Sequence, residues 1–306
     1  MIKRALVLSG GGSKGAYQVG AIKALCEAGS SWNSVHGISV GALNAAWFAM
    51  LKPEEQAGSI MGLLEIWNNV KSSADIYKPW APFKLNYIAS LWKGSLNTGA
   101  PLRGLVSQFW NLDKARNSGV RLTVGCCSLT TTRYHDIDQT NDNIMEYILA
   151  SSHLPVVFEP LLIDNEKWVD GGVRHQIPIL EAIRENPDEI DVIVTQPIVN
   201  LESANISNDS LKSAVNVSLR GAGIFSDQVY FEDCLDVIRV INQHGKKHDI
   251  KVRFFIPSKL PNEDSMNFDG PTIQRVILMG YEETKAKLEK LEENSETALL
   301  EHQEPI

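Results

Sequence analysis

Ser39 stands in Gly37-Ile38-Ser39-Val40-Gly41, between a run that reads as a strand (Ser34-Val35-His36) and one that reads as a buried helix (Ala42-Leu43-Asn44-Ala45-Ala46-Trp47-Phe48). A serine at a strand-to-helix corner, with a glycine two positions away on either side, is a nucleophile elbow. Gly37 and Gly41 tolerate the close packing of such a turn. The hydroxyl is left at the tip, and the first amides of the following helix face any anion that forms there. The chemistry open to this group is attack on a carbonyl, provided that a base removes its proton. By itself the pattern fits a plain helix start capped by Ser39 equally well.

A second constellation lies upstream. Arg4-Ala5-Leu6-Val7-Leu8-Ser9 reads as an apolar strand that runs into Gly10, Gly11, Gly12, Ser13, Lys14 and Gly15. An amphipathic helix is predicted from about 16 to 28, with Val19, Ile22, Leu25 and Cys26 on one face. Consecutive glycines before a helix present backbone amides that can cradle a phosphate or an oxyanion. The same letters satisfy the dinucleotide pattern Gly-x-Gly-x-x-Gly, but that use calls for an acid at the end of the second strand. His36-Gly37-Ile38-Ser39 stands there instead, and no Gly-Lys-Ser/Thr closes the loop as a P-loop would. A third motif is Trp168-Val169-Asp170-Gly171-Gly172, an acid at a strand end before two glycines, which in isolation is a common turn.

In this order the three motifs resemble the patatin-like phospholipase family. Ala150-Ser151-Ser152-His153-Leu154-Pro155 through Phe158-Glu159-Pro160 is similar to the family's Ala-Ser-rich helix end and Pro-x-x-Phe-x-Pro segment. The resemblance covers about residues 4–195. It implies a three-layer α/β/α fold with a mostly parallel central sheet. It also implies a Ser39–Asp170 dyad without a histidine, in which Asp170 takes the serine proton, returns it to the leaving alkoxide and then activates water. The glycine loop, Gly10 to Gly15, would form the oxyanion hole, around Gly11 and Gly12 above all. Lys14 matches the family's basic position and either steadies that loop or is a solvated surface lysine. Gly171 and Gly172 would shape the acid's turn. The implied substrate is a phospholipid or another acyl lipid, met at a membrane surface in transient contact, with no cofactor and no metal. One departure stands out: many relatives carry an Asn before a Pro just after the Asp-Gly-Gly turn, and this chain has His175-Gln176 before Ile177-Pro178.

Two other readings stay open on the residues alone. An α/β-hydrolase would use a Ser, Asp, His triad, with His175, His244 or His248 as third member. Against it, the elbow comes after only the second strand, and His244 and His248 sit in a polar helix end, Gln243 to His248. His36 would point into the sheet, and His135 and His153 would pack or face water. The other reading is a catalytically silent lipid- or protein-binding module on the same scaffold, which three intact motifs argue against.

Composition agrees with an enzyme that works outside the bilayer. At 306 residues the chain can bury a large core, and its net charge of −8 disfavours nucleic acid and constitutive docking on anionic lipid. Cys26, Cys126, Cys127 and Cys234 show neither disulfide nor zinc spacing, which fits a reducing, cytoplasmic setting. The apolar run behind Lys3 and Arg4 ends at Ser9, too soon for a signal-peptide core. No His, Asp, Glu and Cys cluster has the spacing of metal ligands.

The elements that must position these residues follow from periodicity. Helices are expected over 54–70, 143–151, 178–185, 211–243 and 271–293. Strands are expected at 121–128, pairing with 133–136, at 161–163 and 167–169 around a turn that delivers Asp170, at 190–194 and at 251–256. Residues 1–200 read as the catalytic core, 201–293 as a helical and strand portion completing the same domain, and 294–306 as a polar tail. Residues 71–101 lose periodicity and carry Tyr77, Trp80, Phe83, Tyr87 and Trp92, either a plug under a long loop or a lid beside Ser39.

Overall fold

A computed structural model describes residues 2–82, 84–197, 214–240, 250–262 and 264–293. The expectations for His244, His248, Phe83 and the 294–306 tail lie outside these residues.

The chain opens with β1 (Arg4–Leu8), α1 (Gly15–Glu27), β2 (Ser34–Ile38), α2 (Val40–Ala49) and α3 (Pro53–Asn69). Then come β3 (Lys78–Pro79), α4 (Lys84–Lys93), β4 (Ser95–Thr98), α5 (Ala100–Phe109) and α6 (Leu112–Asn117). The second half holds β5 (Arg121–Ser128), β6 (Tyr134–Asp138), α7 (Ile144–Ser151), β7 (Val156–Phe158), β8 (Leu161–Ile163), β9 (Glu166–Asp170), α8 (Ile179–Arg184), β10 (Glu189–Ile193), α9 (Ala214–Val240), β11 (Lys251–Phe255) and α10 (Gly270–Glu293).

Eight strands form the central sheet in the order β11-β10-β1-β2-β5-β9-β8, with β6 beside β5. The pairs from β11 to β5 are parallel, and β6, β8 and β9 join antiparallel. Strand side chains alternate between faces, so a sheet covered on both sides feeds two cores. In β1, Leu6 and Leu8 enter a core with α1, α2, α3, α7 and α10, while Ala5 and Val7 enter another with α8 and α9. The result is the three-layer α/β/α arrangement expected from the family resemblance.

Two features of this sheet place the site. Parallel strands bring their C-terminal ends to one edge, where ligands bind in open α/β sheets; the loops after β1, β2 and β10 meet there. The second feature is a hand-over along β5. Strand β6 pairs with Thr123–Cys127, so β2 (pairing with Arg121–Gly125) and β9 (pairing with Cys126–Ser128) must share the opposite edge of β5. They meet head-on: β2 ends opposite Gly125, and Asp170 ends β9 opposite Cys126. Both chains turn out of the sheet at that junction.

Residues 71–101 are not a structureless loop. They hold β3, α4 and β4, and a second small sheet runs β3-β4-β7. The aromatics misled because four of the five fall outside the periodic set; Leu85, Ile88 and Trp92 recur at the spacing of one helix face. That face is exposed, Trp92 to 88 %. Tyr77, by contrast, packs edge-on against Phe158 at 5.9 Å, and the Trp80 indole donates to Ser95 Oγ at 3.1 Å. The packing reading therefore holds for Tyr77 and Trp80. Helices α5 and α6 lie in a stretch without a sequence assignment.

Candidate active site

The elbow is built by strain and held by serines. Ser39 has φ 57° and ψ −130°, in a region that L-residues rarely occupy. A side-chain carbon at Gly37 would overlap the Gly41 carbonyl, and one at Gly41 would overlap the Leu8 carbonyl, so both corners must be glycine. The Ser39 amide donates to Ser151 Oγ at 2.9 Å, Ser151 Oγ donates to the Gly125 carbonyl at 2.7 Å, and Ser152 Oγ donates to the Ser39 carbonyl at 3.1 Å. The Ala-Ser-rich end of α7 thus clasps the turn on both sides. Helix α2 starts at Val40, so the positive end of its dipole lies beside Ser39.

Asp170 reaches the same point from β9. It is 3 % exposed. The Gly172 amide donates to its Oδ1 at 2.7 Å, and the Ser39 side chain lies near enough to favour its charged form. Burial is the largest influence and pushes its carboxyl up to about 7; the Ser39 side chain and the Gly172 amide pull the other way.

The glycine loop follows β1. Gly11 and Gly12 have φ 151° and 58°, and a side-chain carbon at either would run into Thr195 or the Ser265 carbonyl. Several of its amides are already used: Gly10 N–H donates to the Gln176 carbonyl (3.1 Å), Ser13 N–H to the Ser265 carbonyl (2.8 Å) and Lys14 N–H to the Gly11 carbonyl (3.2 Å). Gly11 and Gly12 cap and open the single 3-10 turn Gly12–Lys14, and amides at those places have no acceptor within a helical turn. Lys14 is not a solvated lysine. It is buried and donates to Gln196 Oε1 at 2.8 Å. Burial lowers its ammonium to about 8, against Asp227 and Asp264, whose charges raise it.

Ser39, Asp170 and the Gly10–Gly12 stretch line one cavity of about 510 Å³. One wall is apolar, with Leu63, Trp67, Leu102, Val106, Phe109 and Phe158 from α3, α5 and β7. The rest of the lining includes polar residues, Lys14, Thr195, Gln196, Ser226, Asp227 and Ser265. Among the described residues no histidine lines it. His175 turns instead to Asp233 at 3.2 Å and meets the Tyr134 ring at 4.8 Å; His36 lies inside the sheet, with Nε2 3.0 Å from Ser34 Oγ. His153 Nδ1 meets the Glu159 carbonyl at 2.7 Å. No group of three or more His, Cys, Asp or Glu among the described residues is arranged to hold a metal. Gln176, Thr195, Gln196 and Asp233 escaped sequence reasoning; only Gln176 left a trace, as the residue standing where relatives differ.

A mostly parallel, three-layer sheet with a strand-to-helix serine turn at its C-terminal edge defines the class of fold. The profile of the patatin-like phospholipase family matches residues 6–183, and this chain belongs to that family. It is similar to the uncharacterised protein YqhO of Bacillus subtilis (strain 168), 28 % identical over 197 residues that cover 56 % of this chain and 64 % of that one. The chain therefore spans less than two thirds of the curated relative it matches. Among solved structures it is similar in fold to human GIVD cytosolic phospholipase A2 in complex with methyl gamma-linolenyl fluorophosphonate. The TM-score is 0.51 and the identity 9 %, over 95 % of this chain and 58 % of that one. VipD from Legionella pneumophila aligns over 94 % of this chain and 67 % of its own, with a TM-score of 0.46 and 15 % identity.

Proposed function

We propose that this chain is a serine acyl hydrolase of lipid esters, of phospholipase A or lysophospholipase type, with Ser39 as nucleophile and Asp170 as its base. Asp170 takes the Ser39 proton as Oγ attacks the ester carbonyl. The amides of Gly11 and Gly12 receive the oxyanion. The tetrahedral intermediate collapses to an acyl-serine, and the leaving alkoxide takes the proton back from Asp170. Asp170 then removes a proton from water as it attacks the acyl-serine, and the second tetrahedral intermediate collapses to the free fatty acid while Asp170 returns that proton to Ser39 Oγ. The acyl chain lies along the apolar wall and the leaving group along the polar residues. The lipid surface is met through the exposed stripe of α4.

The observation that carries this reading is the Asp170 carboxyl. An ordinary aspartate, with pKa ~3.9, is too weak a base at neutral pH. Here burial brings it to about 7, next to the Ser39 hydroxyl. A fluorophosphonate probe should label the wild type and not Ser39→Ala, and the same pair should differ on p-nitrophenyl esters and on phospholipids. Labelling that survives the substitution would refute the assignment.

A further inference from the structure

The glycine loop and the acid's turn face a positioning problem. They follow β1 and β9, and in the sheet β2 and β5 stand between those strands. No ladder of strand hydrogen bonds fixes one loop against the other, yet the proposed reaction needs Gly11, Gly12 and Asp170 in register around one carbonyl.

The segment 175–177 bridges that gap. The Gln176 carbonyl accepts from the Gly10 amide at 3.1 Å. Its Nε2 donates to the Gly172 carbonyl and to Ser226 Oγ, both at 3.0 Å. Its Oε1 lies where a side chain on Gly10 would be. So one residue touches the peptide before Gly11 and the peptide of Gly172, whose amide holds Asp170 Oδ1. Gln176 is held from outside in turn. The buried carboxylate of Asp233, on α9, accepts from the backbone amides of Gln176 and Ile177 (the latter at 3.2 Å) and meets His175 Nδ1 at 3.2 Å. Ser226 lies two helical turns before it on the same helix.

We infer that Gln176 and Asp233 form a clamp that sets the oxyanion loop against the Asp170 turn, so that α9 positions the two halves of the site. Gln176 lines the cavity at its edge and Asp233 does not line it, so Asp233 acts on the reaction through Gln176. The clamp also answers the departure from the relatives' Asn: the longer Gln side chain pins the Gly172 carbonyl, and a helix carboxylate supports it. This inference rests on the dyad reading of Ser39 and Asp170.

The test uses Gln176→Met, which keeps length and removes the amide, and Asp233→Asn, which keeps shape and removes the charge. Val237→Ala, in the core under the same helix, serves as a control matched by melting temperature. Rates are measured on a short soluble ester, across pH. Misplaced catalytic groups cost on the order of 10²-fold in rate. Both clamp variants should lose kcat by about 10- to 100-fold with KM within about twofold, while Val237→Ala keeps its kcat. The clamp variants should also move the acid limb of the pH–rate profile upward. The Gly172 amide favours the charged form of Asp170, and loosening it favours the proton. A second readout needs no turnover: hydrogen exchange at Gly10 and Gly172 should accelerate in both clamp variants and not in the control. Unchanged exchange and an unmoved acid limb, or an equal kcat loss in Val237→Ala, would overturn the clamp. If the wild type shows no Ser39-dependent hydrolysis, the proposed function fails, and the exchange data still decide the clamp.

Discussion

The elbow at Ser39 and the turn at Asp170 meet at one point on β5 but bear different costs. Ser39 is held in a backbone conformation that costs of order 1–3 kcal/mol, and its side chain is only partly covered. Asp170 has an unstrained backbone, φ −49° and ψ 130°, and bears its cost as desolvation of a carboxylate. One half of the site is conformationally expensive and the other electrostatically expensive. The supports match. Hydrogen bonds with Ser151 and Ser152 grip the backbone of the elbow, whereas the carboxylate receives the Gly172 amide and little else. The comparison teaches that substitutions at the two positions should abolish the same activity yet relieve different stresses.

The largest expected effect is on rate. Ser39→Ala and Asp170→Asn should each lower kcat on a soluble ester by ~10³-fold or more, the scale on which serine hydrolases lose their activating groups. Loss at only one of the two positions would break the pairing of the halves. Wild-type kcat should rise with pH through an acid limb centred near 7, because Asp170, as the proposed base, must be unprotonated.

Next comes the electrostatic cost. Because the folded carboxyl sits near 7, above the unfolded value of ~3.9, its ionisation opposes folding. The contribution is most favourable below pH ~4, is lost progressively as pH rises to 7, and stays lost above. Asp170→Asn removes the ionisation while its amide oxygen can still accept from Gly172. It should therefore be more stable than wild type at pH 8 by of order 2–4 kcal/mol, with the difference shrinking as pH falls from 7 to 4. Denaturant titrations at pH 5 and 8 read this directly; a gain independent of pH would mean that the carboxylate is not strained electrostatically.

The conformational cost is smaller. Ser39→Gly should raise stability by ~1 kcal/mol, since glycine occupies φ 57° without penalty but loses more entropy on folding. The gain should be read at pH 5, where Asp170 is protonated; at pH 8 it shrinks, because the lost hydroxyl also favoured the ionised carboxylate. No gain at pH 5 would erase the distinction between the halves.

The smallest effect sharpens how the site meets its substrate. Trp92→Ala should lower activity on liposomes several-fold more than on a short soluble ester, with little change in melting temperature, because that ring is exposed. Tyr77→Ala should lower both activities alike and reduce the melting temperature, because Tyr77 is packed on Phe158. Equal behaviour of the two variants would remove α4 from the lipid-facing surface.

What the residues alone determined was local. Gly37 and Gly41 around Ser39, the glycines from Gly10 to Gly15, and Asp170 before two glycines announce turns that only small residues can make, and turn chemistry is read over a few positions. The periodic segments gave most helices and strands within a few residues for the same reason. The 71–101 region went astray where aromatic content was weighed above the weaker 85, 88, 92 spacing. Only the tertiary structure decided how the three motifs converge. The hand-over from β2 to β9 along one edge of β5 depends on strand order, which no short window encodes. It alone buries Lys14 and Asp170 and thereby moves their protonation toward neutrality, since desolvation depends on neighbours distant in sequence. And it alone brings Asp233 of α9, 63 positions beyond Asp170, against the segment that ties the glycine loop to the acid's turn.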